Sequence, residues 1–212
     1  VAELHVTLLS CPSCGSPLDG LRRDAVFTCS SCRLALHIRE GQVSRHPLRF
    51  APAVSGNVGD IVRLPLWRME LDVASPVDEW SGRRIAWVSG FYQTRVLFFG
   101  DPGMDLTERG VEFLEVEEIP AGARLLGVAC GPDEAVETAR LLITQAIDRR
   151  RDVTGMEISI AAVGIELWAV PFVHDAEGGK LEEPNIEKAY STLLVEDLVE
   201  ILAGGDGAGQ IR

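Results

Sequence analysis

Basic residues are scarce in this chain. Twenty Lys and Arg stand against 32 Asp and Glu, for a formal net charge of −12. The deficit is uneven. Residues 1–46 hold five Arg and four acids, which leaves 15 basic and 28 acidic residues, a balance of −13, for residues 47–212. So acidic a body repels phosphate backbones, and only the amino-terminal part could face nucleic acid. Long uncharged apolar runs are also lacking. The greasiest stretch, Met156–Val173, contains Glu157 and Glu166 together with Gly164 and Pro171, which argues against a membrane span. Residues 1–10 have no basic start and too short an apolar run for a secretory signal, so none is expected.

Catalytic signatures are missing as well. H-E-x-x-H, G-x-S-x-G and Walker A patterns do not occur. "GDGAG" at 205–209 lacks the last glycine of a dinucleotide loop and stands in a polar terminus. The four histidines, at 5, 37, 46 and 174, are scattered. No catalytic residue is assigned on these grounds.

Against these absences stands one dense motif, "CPSCGSPLDGLRRDAVFTCSSC" at 11–32. It carries four of the five cysteines with the spacing C-x2-C-x14-C-x2-C, at Cys11, Cys14, Cys29 and Cys32. Two residues between cysteines let a tight turn aim both thiolates at one tetrahedral centre, and the spacing is close to that of zinc sites. Pro12 presets a backbone angle of the first turn, and Gly15 stands where a left-handed backbone is needed. A redox pair would open a helix in a βαβ unit, whereas Pro, Gly and Asp-Gly surround these cysteines. Four thiolates would also hold iron. With every position filled by protein, the expected metal is structural. His37 follows too late to be needed and is read as a surface strand residue. Paired cysteines without a disulfide framework point to a reducing compartment, the cytoplasm.

Asp19-Gly20 signals a hairpin, Val26, Phe27 and Thr28 a strand, and "LALHIREGQV" at 34–43 a further strand with a turn near Gly41. On these residues, 11–43 resembles a zinc ribbon of the rubredoxin-knuckle type, as in transcription-factor and ribosomal-protein ribbons. The "CPSCG" half matches closely. Arg33 stands where the second half commonly has glycine. The resemblance implies a three-stranded fold around a structural Zn2+, used for protein or nucleic-acid contacts. Beyond it, a Pro-aliphatic-Trp pattern weakly resembles microbial proteins in which a zinc ribbon precedes a β-rich domain, and this implies no activity.

The expected organisation is a ribbon at 1–46, a linker at 47–60, an acidic β-rich domain at 61–203 and a disordered tail at 204–212. The fold class is α+β, mainly antiparallel, with one or two helices. "IVRLPLWRMELDV" at 61–73 reads as a strand that Pro65 makes an edge or a bulge. Residues 84–100 read as two strands broken near Gly90, "DPGMDLTERG" at 101–110 as a turn-rich loop, and 111–119 as a strand. An ordinary solvated turn is preferred to a cation site at Asp101 and Asp105. Residues 131–151 read as a helix with Pro132 at its first position. Its buried face would be Ala135, Val136, Ala139, Leu142, Ile143, Ala146 and Ile147, and Arg149–Arg151 would sit at its negative end. Residues 157–173 read as one long or two short strands, 174–184 as holding a turn at Gly178-Gly179, and 185–203 as a second helix. The likeness of 62–73 to 165–175 is read as that of two edge strands.

The expected role is non-enzymatic, as an adaptor or assembly factor binding other proteins through a sheet edge or an apolar patch containing Trp67, Trp87 or Trp168. One alternative is nucleic-acid binding through Arg22, Arg23 and Arg33. Another is an enzyme built on Cys130, which precedes the helix at 131 but lies close to Asp133 and Glu134.

Overall fold

The computed structural model describes residues 9–20, 24–52, 60–91, 101–116, 124–175, 180–182 and 189–190. They form a β-rich α+β fold. Six strands lie in one mixed sheet in the order β1-β2-β3-β7-β4-β5: β1 Val26–Cys29, β2 Leu34–Arg39, β3 Gln42–Phe50, β7 Ser159–Asp175, β4 Asp60–Ala74 and β5 Gly82–Ser89. Three short strands extend it. β6 (Arg124–Leu125) pairs with β4, β8 (Lys180–Glu182) with β7, and β9 (Ala189–Tyr190) with β8. Two helices are described, α1 (Pro102–Arg109) and α2 (Pro132–Asp148). No helix among the described residues is long and apolar enough to cross a membrane.

The centre of the sheet is the antiparallel pair β4 and β7, in register from Asp60 opposite His174 to Ala74 opposite Ser159. These are the two segments that look alike in sequence. Both are interior strands, which overturns the reading of them as edges. Pro65 is tolerated there for a local reason. It faces Ala169 on β7, and its carbonyl accepts from Gly90 N–H on the other side. Its missing N–H therefore falls between the end of β6, opposite Val62 and Arg63, and the start of β5 pairing at Leu66. The irregularity of the pair lies elsewhere, between Glu70 and Leu71, where Val163 is passed over.

Alternation along β4 and β7 makes two cores. Trp67, Met69, Leu71, Leu167 and Ala169 face one way and meet Ala135, Ala139, Ile143, Ala146 and Ile147 of α2. The helical periodicity read from the sequence is the face that is buried, with Val136 and Leu142 at its margin. Leu64, Leu66, Trp168, Val170 and Phe172 face the other way and meet Trp87, Phe91 and Leu106. Trp67 and Trp87 are 0% exposed and Trp168 5%, so no apolar surface patch contains them. Each indole N–H has an acceptor: Cys130 O, Val111 O and Glu166 Oε2 respectively.

Several sequence expectations need correction. Residues 102–109 are helical rather than a loop. Asp101 is a buried N-cap whose carboxylate accepts from Met104 N–H and Ser89 N–H, Pro102 opens the helix and Gly110 closes it with φ 64°. Gly103 lets α1 press on β5, because a Cβ there would lie 2.6 Å from the Trp87 backbone. Thr107 Oγ1 accepts from Trp87 N–H at 2.7 Å, covering the sheet edge. Residues 111–116 form no strand. Side chains pin them instead, with Phe113 5.3 Å from Trp87 and Glu115 bound by arginines. Of the segment read as a second helix, only Ala189–Tyr190 are described within 185–203, and they are strand. α2 ends at Asp148, and the three arginines beyond it turn to other elements: Arg149 to Glu108, Arg150 to Glu79 and the Trp80 ring, Arg151 to Pro76 O. The second strand expected in 84–100, the turn at 178–179 and the tail at 204–212 lie outside the described residues.

β3 carries the chain from the cysteine-rich end into the body. Its first six residues, Gln42–Pro47, pair with β2 and its last three, Leu48–Phe50, run parallel to Leu167–Ala169 of β7. Residues 47–50, read as the start of a linker, are thus strand. β2 and β3 join through Glu40 (φ 52°) and Gly41 (φ 78°), the two left-handed residues of a type I′ turn.

Candidate metal centre

The sulfurs of Cys11, Cys14, Cys29 and Cys32 lie within 4.8 Å of one another. Two turns put them there. In the first, Gly15 N–H donates to Cys11 O and Cys11 N–H to Ser16 O, both at 2.8 Å, with Gly15 at φ 75°. In the second, β1 delivers Cys29 and a turn delivers Cys32 before β2 begins. Cys14 Sγ and Cys29 Sγ are 3.7 Å apart. A tetrahedron with metal–sulfur bonds of about 2.3 Å has edges of about 3.8 Å, whereas a disulfide needs about 2.05 Å. No disulfide links any of the five cysteines. Cys11 and Cys29 are buried, Cys32 is half-buried and Cys14 exposed.

The proton affinities of the four thiols are spread apart. Hydrogen bonding by the Ser16 side chain and backbone lowers Cys14 to about 6. The Ser13 N–H, 3.5 Å from Cys11 Sγ, lowers Cys11. Burial raises Cys29, and a hydrogen bond with Cys14 followed by burial raises Cys32 to about 12. Four thiolates this close repel one another, and a cation among them removes that penalty. The donor set is all sulfur, which suits a soft or borderline ion. These cysteines are therefore placed to hold a metal ion.

Arg33 follows Cys32 as Gly15 follows Cys14, and its φ is 53°, the same left-handed region. A non-glycine residue there costs roughly 1–2 kcal/mol. The side chain gives the compensation. It pairs with Glu115 at 3.1 Å, donates to Val116 O and lies over the Phe50 ring. It opens a chain of alternating charges across the sheet: Arg33, Glu115, Arg49, Glu166, Arg68, Glu70, Arg83, Asp72. Glu166 and then Glu115 raise the Arg49 guanidinium above its ordinary range. Only the i, i+2 spacing of Arg68, Glu70 and Asp72 signalled this ladder in sequence. Arg22 and Arg23 lie outside the described residues.

The other candidate residues are placed as follows. Cys130 is half-buried, its thiol pointing at Gly131 O at 3.5 Å. Burial, then Glu134 and Asp101, push it up to about 12, so it is a neutral thiol at pH 7 despite the helix beside it. Glu134 is occupied in accepting from Gly131 N–H at 3.1 Å. His37 is half-buried rather than superficial, against Gly131 at the start of α2.

Fold and site together define a β-rich α+β protein in which a four-cysteine cluster able to hold a metal is continuous with the main sheet. Comparison with protein-family models, curated proteins and solved structures gave no match.

Proposed function

We propose that residues 11–43 are a zinc ribbon with a structural Zn2+, and that the protein works without turnover as an adaptor or assembly factor for other proteins in the cytoplasm. The observation that carries the metal assignment is the sulfur cluster, with all four ligands from protein within 4.8 Å of one another and Cys14 and Cys29 at 3.7 Å. A closed set leaves no position for a water nucleophile. Metal-bound thiolates also suit a reducing compartment.

What supports the adaptor reading is open sheet beside that rigid module. β3 pairs with β7 only at Leu167–Ala169, and among the described residues no strand covers that side of β7 from 159 to 166. Ala161, Ala162, Val163 and Gly164 are exposed there. At the hairpin tip, Ile38 and Val43 face each other across β2 and β3, 39% and 51% exposed. Exposed backbone edges and apolar pairs are surfaces that partner chains use.

The test is capture of partners from native extract by the wild type and by a Cys11→Ser, Cys29→Ser double variant. The expected result is a protein retained by the first and lost by the second. Retention by both, or recovery of nucleic acid alone with a steep salt dependence, would overturn the adaptor reading.

A further inference from the structure

Residues 111–116 carry no strand pairing and are tied down at two ends. At the end nearer α1, Val111 N–H donates to Leu106 O, Trp87 Nε1 donates to Val111 O at 2.8 Å, and Phe113 packs edge-on against Trp87. At the other end, Val116 N–H donates to Phe50 O at 2.9 Å and Arg49 pairs with Glu115. The further ties there come from Arg33. Its guanidinium lies 3.1 Å from Glu115 Oε1, donates to Val116 O and covers the Phe50 ring at 5.5 Å. Between the two ends the segment holds out Leu114, 84% exposed.

Arg33 is also the residue next to Cys32, in the turn that closes the sulfur cluster. Its backbone is left-handed, with φ 53°. The aim of the guanidinium follows from that backbone, because a return to the right-handed or extended region re-aims the side chain. The strain of a left-handed backbone on a residue with a Cβ is of the same order as the worth of a partly exposed ion pair with one backbone hydrogen bond. Glu115 and Val116 therefore do not hold the turn alone. Closure of the Cys29–Cys32 turn on a common centre supplies the rest. One turn thus sets both the Cys32 sulfur and the Arg33 side chain.

We infer, on the zinc reading of the cluster proposed above, that Arg33 is a positioning residue through which metal occupancy controls the order of residues 111–116. With the cluster filled, the turn is closed, Arg33 stays left-handed, and Glu115 and Val116 are clamped. With it empty, the four thiols need not share a centre. The turn relaxes, and the segment keeps only Arg49 and the Phe50 carbonyl at that end. The metal in this way sets how Leu114 is presented to solvent. The relay is reciprocal: as far as the metal tightens the clamp, the clamp tightens the metal.

The test measures Zn2+ affinity of the full chain by competition with a chromophoric chelator. Glu115 is not a ligand and stands 82 residues from Arg33 in sequence. Glu115→Ala is nevertheless expected to bind Zn2+ about fivefold more weakly than the wild type. On an Arg33→Ala background the same substitution is expected to change the affinity by less than about twofold. A second readout needs no variant. On removal of Zn2+ from the wild type, exchange of the Val116 amide is expected to accelerate about fivefold, and that of the Val111 amide, held from α1, by less than about twofold. Unchanged affinity in Glu115→Ala overturns the relay, as does a Val116 amide indifferent to the metal. An equal loss of affinity on both backgrounds also overturns it, since Glu115 would then act through Arg49. If the wild type takes no Zn2+ from the chelator, the metal reading itself fails, and the relay with it.

Discussion

The cysteine-rich end and the β4–β7 body are parts of one sheet held together by different forces. Around Cys11–Cys32 only a few apolar side chains are buried, among them Val26, Ala35 and Leu36, and the turns are organised around sulfur. In the body, four tryptophans and a run of aliphatic residues fill two cores. The difference teaches where each region's order comes from. Under the proposed metal assignment, the first depends on an ion and is readable from a few residues. The other depends on burial spread over many residues and is readable mainly as a pattern.

The sharpest way to break the comparison is to remove the ligands. Cys11→Ser with Cys29→Ser is expected to abolish tight metal binding, removing about 10–16 kcal/mol of binding free energy. Amide protection should be lost in residues 11–43 and largely kept in β4 and β7. Equal loss in both regions would show that the body, too, needs the metal. The converse change is Trp67→Ala, expected to lower global stability by about 3–5 kcal/mol in urea titration while the purified protein keeps its metal.

Two smaller effects sharpen the account. Gly103→Ala is expected to cost about 1–3 kcal/mol, because the new methyl group meets the Trp87 backbone at 2.6 Å and α1 must shift. Arg33→Ala is expected to be less stable than Arg33→Gly by about 1 kcal/mol. Both lose the Glu115 pair, but only glycine relieves the left-handed backbone. Equal stabilities of the two variants would mean that the turn at 32–34 is not held in that conformation.

Legibility followed the range of the interactions. The cysteine cluster was readable because its chemistry is contained in two short turns, and α2 because one periodic face is buried by one sheet. α1 is hidden in the sequence because Pro102-Gly103 resembles a turn, and the reason for Gly103, the closeness of Trp87 on β5, is sixteen residues away in sequence. Pro65 reads as an edge or bulge marker because nothing local reveals that β6 ends and β5 begins around it. The strand expected at 111–119 alternates well, but side-chain contacts to Trp87, Arg33 and Arg49 use its residues differently. Arg33 itself was visible only as a departure from glycine. Its purpose lies in Glu115, far along the chain.

The central claim is a closed, all-sulfur metal site that orders the amino-terminal hairpin. X-ray absorption at the zinc edge on freshly purified protein tests it most directly. The account predicts one zinc per chain with four sulfur neighbours at about 2.3 Å and no nitrogen or oxygen scatterer. A light-atom neighbour in the first shell, or metal-free protein whose cysteines are joined as disulfides, would contradict it.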